Sequence, residues 1–453
     1  IHKKRRLKRP RWQLLPSQFL ALGFLSTIFI GGILLSLPFA SQSNQATNLL
    51  DAFFTATSAV CVTGLTTLNT AVHWSLAGKL IIMLLIEIGG LGFMSFTIII
   101  LLASRKKINF RTRIIMKEAL NTNQLSGGVN FIIYILKFSV GLQLLAACLL
   151  SIDFIPRYGL AKGAFFSLFH SVSAFCNAGF DLFGNSLESF QKNPLVLGVL
   201  SFLIIAGGLG FIVWRDLLTY RKNKRLSFHS KLTLRVTFIL LIGGFLFFLL
   251  TEQNLSHLKD LTFGERLMNT FFLTVTPRTA GFNSVSFSGL SQASILLSCF
   301  LMYIGGSSGS TAGGIKTTTL GILVMHAYSV FKGEERTQFS GRSINPTLIN
   351  RAFVLLFITM TVITTAIITL SITETIPPDF GIEYIVFEVF SAFGTVGVTL
   401  GLTPQLTAIG KIIIMALMFT GRIGMFTFLL SIIKRTNQAN TKIKYPEENV
   451  IIG

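Results

Sequence analysis

The chain has 453 residues, 51% of them hydrophobic and only 13% charged, whereas a soluble domain carries about 25% charged residues. That composition argues against a soluble enzyme. Its 39 Lys and Arg against 18 Asp and Glu give a formal charge of +21. Gathered in one patch, such an excess would imply nucleic acid. Here the basic residues lie in clusters between long apolar runs, as in a polytopic membrane protein, and no nucleic-acid partner is expected.

In chain order, the basic stretch Ile1 to Arg11 leads into an apolar run at 18–38 with no small-residue cleavage pattern. A retained first span is expected rather than a signal peptide. Further runs of span length lie at 80–104, 131–152, 195–214, 233–251, 350–372 and 412–433, each near the 20 residues a crossing needs. An eighth, at 293–331, is too long for one span and is interrupted by Gly305, Gly306, Ser307, Ser308, Gly309, Ser310, Thr311, Ala312, Gly313 and Gly314. It reads as a broken helix. The expected fold is an all-α polytopic membrane protein with eight crossings and both termini on one side.

Charge assigns the side. The segments 1–13, 105–117, 215–235, 332–351 and 434–453 hold 28 of the basic residues, while the alternate connections hold 8 basic residues and 11 acids. By the positive-inside rule both termini are cytoplasmic. The acid excess on the other side favours an approaching cation through a weak, screened field. Lys137, Lys316 and Arg422 remain within or near the membrane. Cys61, Cys148, Cys176 and Cys299 have neither CxxC nor Cys/His spacing, and His73, His170, His257 and His326 are equally scattered; no disulfide framework or zinc site is expected.

The outer connections are too apolar for solvated loops, as in Asp51-Ala52-Phe53-Phe54, and three of the four are Phe-rich. They read as re-entrant half-spans, which survive at membrane depth only beside a water-filled cavity. They also repeat. Val62-Thr63-Gly64, Asn177-Ala178-Gly179, Thr279-Ala280-Gly281 and Thr395-Val396-Gly397 align on their glycines, with Phe54, Phe169, Phe271 and Phe387 each ten residues earlier. The following spans repeat Gly89-Gly90, Gly207-Gly208, Gly305-Gly306 and Gly421-Arg422 at intervals of 25, 28, 24 and 24 residues from the loop glycines. This predicts four span, re-entrant loop, span units of one orientation around a central axis: repeats at 18–104, 128–222, 231–332 and 345–435, between a basic arm at 1–17 and a tail at 436–453. Glycine in the loops permits backbone angles that turn successive carbonyls toward the axis, giving an ion rings of oxygen ligands. Close helix packing is an equal account of the second-span glycines.

The fourfold pattern, Thr395-Val396-Gly397, the Gly/Ser/Thr break in the third unit and Arg422 in the last span together resemble the Trk/Ktr/HKT superfamily of cation transporters. The resemblance covers nearly the whole chain and is nearest to the membrane subunit of bacterial Ktr potassium uptake systems. It implies a passive, gated potassium pathway in a bacterial inner or plasma membrane, with filter strands Val62 to Gly64, Asn177 to Gly179, Thr279 to Gly281 and Thr395 to Gly397. It further implies a homodimer above a cytosolic nucleotide-binding RCK ring (KtrA-like). From charge alone, the basic face either attracts anionic membrane lipid or docks such a partner, and no nucleotide bound in this chain is expected. In plant relatives a serine at the first filter glycine accompanies sodium transport, so Gly64 leans toward potassium. Sodium stays open as a second permeant or activating ion.

The segment 305–319, including Lys316, holds poor helix formers at membrane depth, which suits a loop across the conduction path. The resemblance makes it the gate; a packing kink is the alternative. Arg422, in the column of Gly90, Gly208 and Gly306, should face the bundle interior or pair with an acid or carbonyls; it is either a positive barrier or half of a buried ion pair, for which Glu87 is a candidate partner. Asp51, Glu265 and Glu383 stand at the starts of re-entrant helices, where an acid suits the positive helix end. A coupled secondary symporter is the competing function; its mark is inverted repeats with broken helices in both halves. A membrane enzyme finds no nucleophile and base pair.

Overall fold

The computed structural model describes residues 16–92, 128–252 and 261–432. The basic arm at 1–13, the second expected span beyond residue 92, the basic segment at 105–117, His257 and the tail at 436–453 lie outside the described residues.

One order of elements recurs: a long helix, a shorter helix, a loop and a further helix. The first series is α1 (Pro16–Ser36), α2 (Leu49–Val60) and α3 (Leu76–Leu91). The second is α4 (Gly128–Tyr158), α5 (Leu160–Phe175) and α6 (Pro194–Leu209), continued by α7 (Phe211–Asn223). The third is α8 (Phe228–Thr251), α9 (Phe263–Val275) and α10 (Gln292–Tyr303), followed after a break by α11 (Thr317–Phe331). The fourth is α12 (Pro346–Thr373), α13 (Glu383–Gly394) and α14 (Ala408–Ile423), followed by α15 (Met425–Ile432). A small hairpin, β1 (Gln338–Phe339) paired antiparallel with β2 (Arg342–Ser343), joins α11 to α12.

Local chemistry starts these helices. The side chains of Asn48, Ser75, Asn193, Ser227, Ser291, Asn345 and Thr407 each accept a first-turn N–H, satisfying donors that have no helical partner. Thr262 and Glu265 form a reciprocal capping box at α9. Pro194 and Pro346 stand where a missing N–H costs nothing.

Four helices, α1, α4, α8 and α12, are long and apolar enough to cross a membrane, and they cover the expected runs at 18–38, 131–152, 233–251 and 350–372. Their outer faces keep Phe29, Phe238, Phe357 and Ile372 exposed, which suits hydrocarbon rather than water. The expected unbroken spans at 195–214 and 412–433 are instead interrupted. Gly210 and Gly424 have φ of +90° and +88°, a conformation that ends the helical ladder. Consequently α6 and α7 are bent by 97° and form one broken span or a re-entrant loop. Gly92 ends α3 at φ +84° in the same way. Interruption is therefore not confined to the third series, where residues 304–316 separate α10 from α11.

The short helices form the core. α1 packs on α2, α4 on α5, α8 on α9 and α12 on α13. In addition, α3 packs on α5, α6 on α9, α10 on α13, and α14 returns to α2. The third helix of each series thus meets the short helix of the next, and the sequence of contacts closes on itself.

Candidate functional site

All four short helices, including the one without a Phe-rich signal in the expected pattern, lead into a loop carrying the aligned glycine. Backbone geometry there repeats at single-residue register. Gly64, Gly179, Gly281 and Gly397 have positive φ, and so do Val62, Asn177, Thr279 and Thr395, each two residues earlier. Positive φ at Val or Thr costs of order 1–3 kcal/mol and persists only where the surroundings impose it.

The surroundings are hydrogen bonds to the helix ends. Thr63, Ala178 and Val396 donate their N–H groups to the carbonyls of Ser58, Ser173 and Ser391, at 2.8 Å in each case. Gly64 and Gly397 donate to the Ser58 and Ser391 hydroxyls at 3.0 and 3.1 Å. The amides thus face backward, and the carbonyls of the twelve strand residues accept no hydrogen bond among the described residues.

The four loops are neighbours in sequence order. A β-carbon placed on Gly64 would meet the Ala178 carbonyl at 2.5 Å, and one on Gly179 would meet that of Ala280 at 2.8 Å. One on Gly281 would strike the Val396 carbonyl, and one on Gly397 that of Thr63. The order first, second, third, fourth, first describes a closed ring too narrow for side chains. The Asn177 amide ties the second strand to the third by accepting from Thr279 Oγ1 at 3.0 Å, while its nitrogen donates to the Ala174 and Ile204 carbonyls. The hydroxyls of Thr63 and Thr395 are buried with no partner among the described residues.

The third loop departs from the expected spacing. Its fully buried phenylalanine is Phe272 rather than the aligned Phe271, and Ala280 donates to Thr276, four residues back instead of five. Pro277 offers no N–H, so the helical ladder ends earlier. The glycine register itself is unaffected.

Asp51, Glu265 and Glu383 lie in the first turns of α2, α9 and α13. Asp51 pairs with Lys411 at 2.7 Å. The second-span glycines serve close packing: a β-carbon on Gly89, Gly207 or Gly421 would collide with the carbonyl of Val60, Phe175 or Phe393, at the ends of α2, α5 and α13.

Between α10 and α11, residues 304–316 fold against this ring and the helices that carry it. Ser307 and Thr311 donate their N–H groups to Gly208 and Gly207 at 2.9 and 3.3 Å. The Thr311 hydroxyl donates to the Phe175 carbonyl at 3.1 Å. A β-carbon on Gly313 would strike the hydroxyl of Thr395, in the fourth strand. Lys316 Nζ donates to the Ala312 carbonyl at 2.7 Å, closing the segment on itself. Arg422 bridges it to the first series, donating to the carbonyls of Thr311, Gly89 and Gly90. The alternative pairing of Arg422 with Glu87 is not formed. Glu87 accepts from Gln143 at 2.9 Å and from the Cys176 thiol at 3.3 Å.

A family model described as a cation transport protein, TrkH, matches residues 17–443. This chain belongs to the TrkH family. It is 56% identical over 446 residues to the potassium/sodium uptake protein NtpJ of Enterococcus hirae, covering 98% of this chain and 99% of the relative. It is 42% identical to the Ktr system potassium uptake protein B of Bacillus subtilis, covering 97% of each, and 36% identical to that of Vibrio alginolyticus, covering 96% and 94%. The crystal structure of the potassium transporter TrkH from Vibrio parahaemolyticus shares the fold at a TM-score of 0.75 and 18% identity, covering 95% of this chain and 87% of that one.

As a TrkH-family protein the chain is a multi-pass membrane transporter and not an enzyme. Among the described residues no three His, Cys, Asp or Glu side chains gather as metal ligands. His73 and His326 are bonded to Thr47 and Thr337 at 3.0 and 2.8 Å. The sequence reading did not single out the buried acids Glu252, Glu374 and Glu388. Glu388, in the middle of α13, is fully buried, and an ionisable residue inside an apolar half-span was the signal that marked it.

Proposed function

We propose that this chain is the potassium-conducting membrane subunit of a gated uptake system, with sodium as a second permeant or activating ion. The observation that carries the reading is the closed ring of Gly64, Gly179, Gly281 and Gly397, with the left-handed residue two positions before each. Backbone amides directed to the helix ends leave four sets of carbonyls to replace an ion's hydration shell. In this reading the twelve residues of the four strands are the selectivity filter, and each series crosses the membrane twice around one pore. Residues 305–319 with Arg422 form the gate below it. Both termini lie in the cytoplasm of a bacterial cell, and two copies sit above a cytosolic nucleotide-binding RCK ring. The names of the relatives support potassium and a Ktr-type assembly, and the Enterococcus hirae relative's name adds sodium.

The test is Gly64→Ser, whose side chain has no room against Ala178 and Gly179. Uptake by proteoliposomes should show a lower potassium over sodium preference. An unchanged ratio in a properly folded variant counts against the filter assignment. The breaks at Gly210 and Gly424 favour a second reading, a coupled symporter. The recurring order of elements nevertheless supports four series of one direction, whereas alternating access is typically built from inverted halves. Comparing tracer flux with single-channel current separates the two.

A further inference from the structure

Behind the ring, the second and fourth short helices each carry a buried polar side chain at the same register, nine residues before the loop glycine: His170 and Glu388. Both are fully buried. Each reaches past its own helix to the chain that follows its strand. Glu388 Oε2 accepts from the Thr399 hydroxyl at 2.6 Å, and Oε1 accepts from the Thr403 hydroxyl. Thr399 in turn accepts the Gly401 N–H at 3.0 Å. His170 Nδ1 donates to the Phe166 carbonyl at 2.7 Å, which leaves Nε2 to accept the Leu182 N–H at 3.3 Å. The other two positions do not do this. Thr55, at that register in α2, turns back on its own helix at the Asp51 carbonyl. In α9, allowing for the shorter connection, the position is Leu273, an apolar side chain.

The second and fourth loops face each other across the ring, because the loops follow one another in chain order. The braces therefore lie on one diagonal. The Glu388 carboxylate has no ion-pair partner among the described residues, where the ion pairs are Arg157 with Asp153 and Lys411 with Asp51. Burying an acid without a cation is costly for a scaffold, so a role in holding the strand accounts for it better than stability does.

Resting on the filter reading, we propose that Glu388 and His170 are positioning residues that fix the outward ends of the fourth and second filter strands, Glu388 being the stronger because it holds two hydroxyls. They act on selectivity through Gly397 and Gly179 and do not touch the ion. Loosening one strand lets the carbonyl ring contract around the smaller cation, so the preference between potassium and sodium is the quantity they control.

The experiment measures rubidium and sodium uptake by proteoliposomes holding the full chain as Glu388→Gln, Glu388→Ala, Thr399→Val and His170→Leu, with Gly397→Ser as the filter control. Glu388→Ala should lower the rubidium over sodium ratio about five- to tenfold, the scale of one or two lost hydrogen bonds. Glu388→Gln, which keeps an acceptor, should retain more of it, and Thr399→Val and His170→Leu should each lower it less. A merely structural role predicts less folded protein at an unchanged ratio, and that result overturns the proposal. If Glu388→Ala does not fold, an unchanged ratio in Thr399→Val overturns it equally. A ratio that responds to Gly397→Ser but not to the brace variants removes the braces and leaves the filter standing. One that ignores Gly397→Ser as well removes both.

Discussion

Arg422 stands where three backbone carbonyls converge: Thr311 in the segment between α10 and α11, and Gly89 and Gly90 at the end of α3. Bonds to a charged donor each contribute about 1.5–3 kcal/mol, so this side chain, from the fourth series, latches the segment to the first. Arg422→Ala should raise cation flux per folded molecule and lower the melting temperature, at a cost of about 3 kcal/mol. Lysine is a point charge without the planar fork, so Arg422→Lys should fall between. Flux that stays at the wild-type level would leave Arg422 as scaffold. Because Glu87 bonds to Gln143 and Cys176 instead, a double-mutant cycle of Glu87→Gln with Arg422→Ala should give a coupling below about 0.5 kcal/mol. An arginine among apolar residues was legible as a buried charge. That carbonyls could pair it was legible too, but not which ones, since a carbonyl carries no mark in a sequence.

At the scale of elements, glycine columns do two different jobs. Gly89, Gly207 and Gly421 let α3, α6 and α14 approach the carbonyl ends of α2, α5 and α13, whereas Gly210 and Gly424 break the helices just beyond. Gly89→Ala should therefore cost about 1–3 kcal/mol, read as a lowered denaturation midpoint, while Gly92→Ala, with open space around its β-carbon, pays only for its left-handed backbone. Deleting Ser308 to Thr311 removes the bonds to Gly207, to Phe175 and to Arg422. Flux should rise and depend less on any cytosolic partner; a fall in flux at normal folding would reject the gate. Element existence was readable from apolar run length, and so was the break at 305–314, whereas the breaks at Gly210 and Gly424 were not, because a glycine within an apolar run serves equally as packing surface or as hinge. The third loop was misaligned by one residue for a similar reason: counting back from a glycine assumes equal turns, and Pro277 shortens this one.

For the whole molecule, charge and exposure are what support the proposed membrane orientation and assembly. The long helices expose Phe29, Phe238, Phe357 and Ile372, while basic residues gather at 215–235 and 332–351 among the described residues. Native mass measurement of the detergent-solubilised complex should find two copies of this chain, and a cytosolic nucleotide-binding ring captured through the basic face. A species that stays monomeric and never captures such a ring would refute the assembly.

Composition, span-length apolar runs and the spacing of four glycines were enough to read a helical membrane transporter and to nominate its twelve strand residues, because hydrocarbon imposes length and apolarity directly on the sequence. Which strands adjoin, that α14 returns to α2, that Arg422 grips carbonyls rather than Glu87, and that Glu388 and His170 stand on one diagonal are matters of tertiary structure. Such contacts join residues far apart in the chain, and the direction of a carbonyl is decided by backbone angles that neighbouring helices impose.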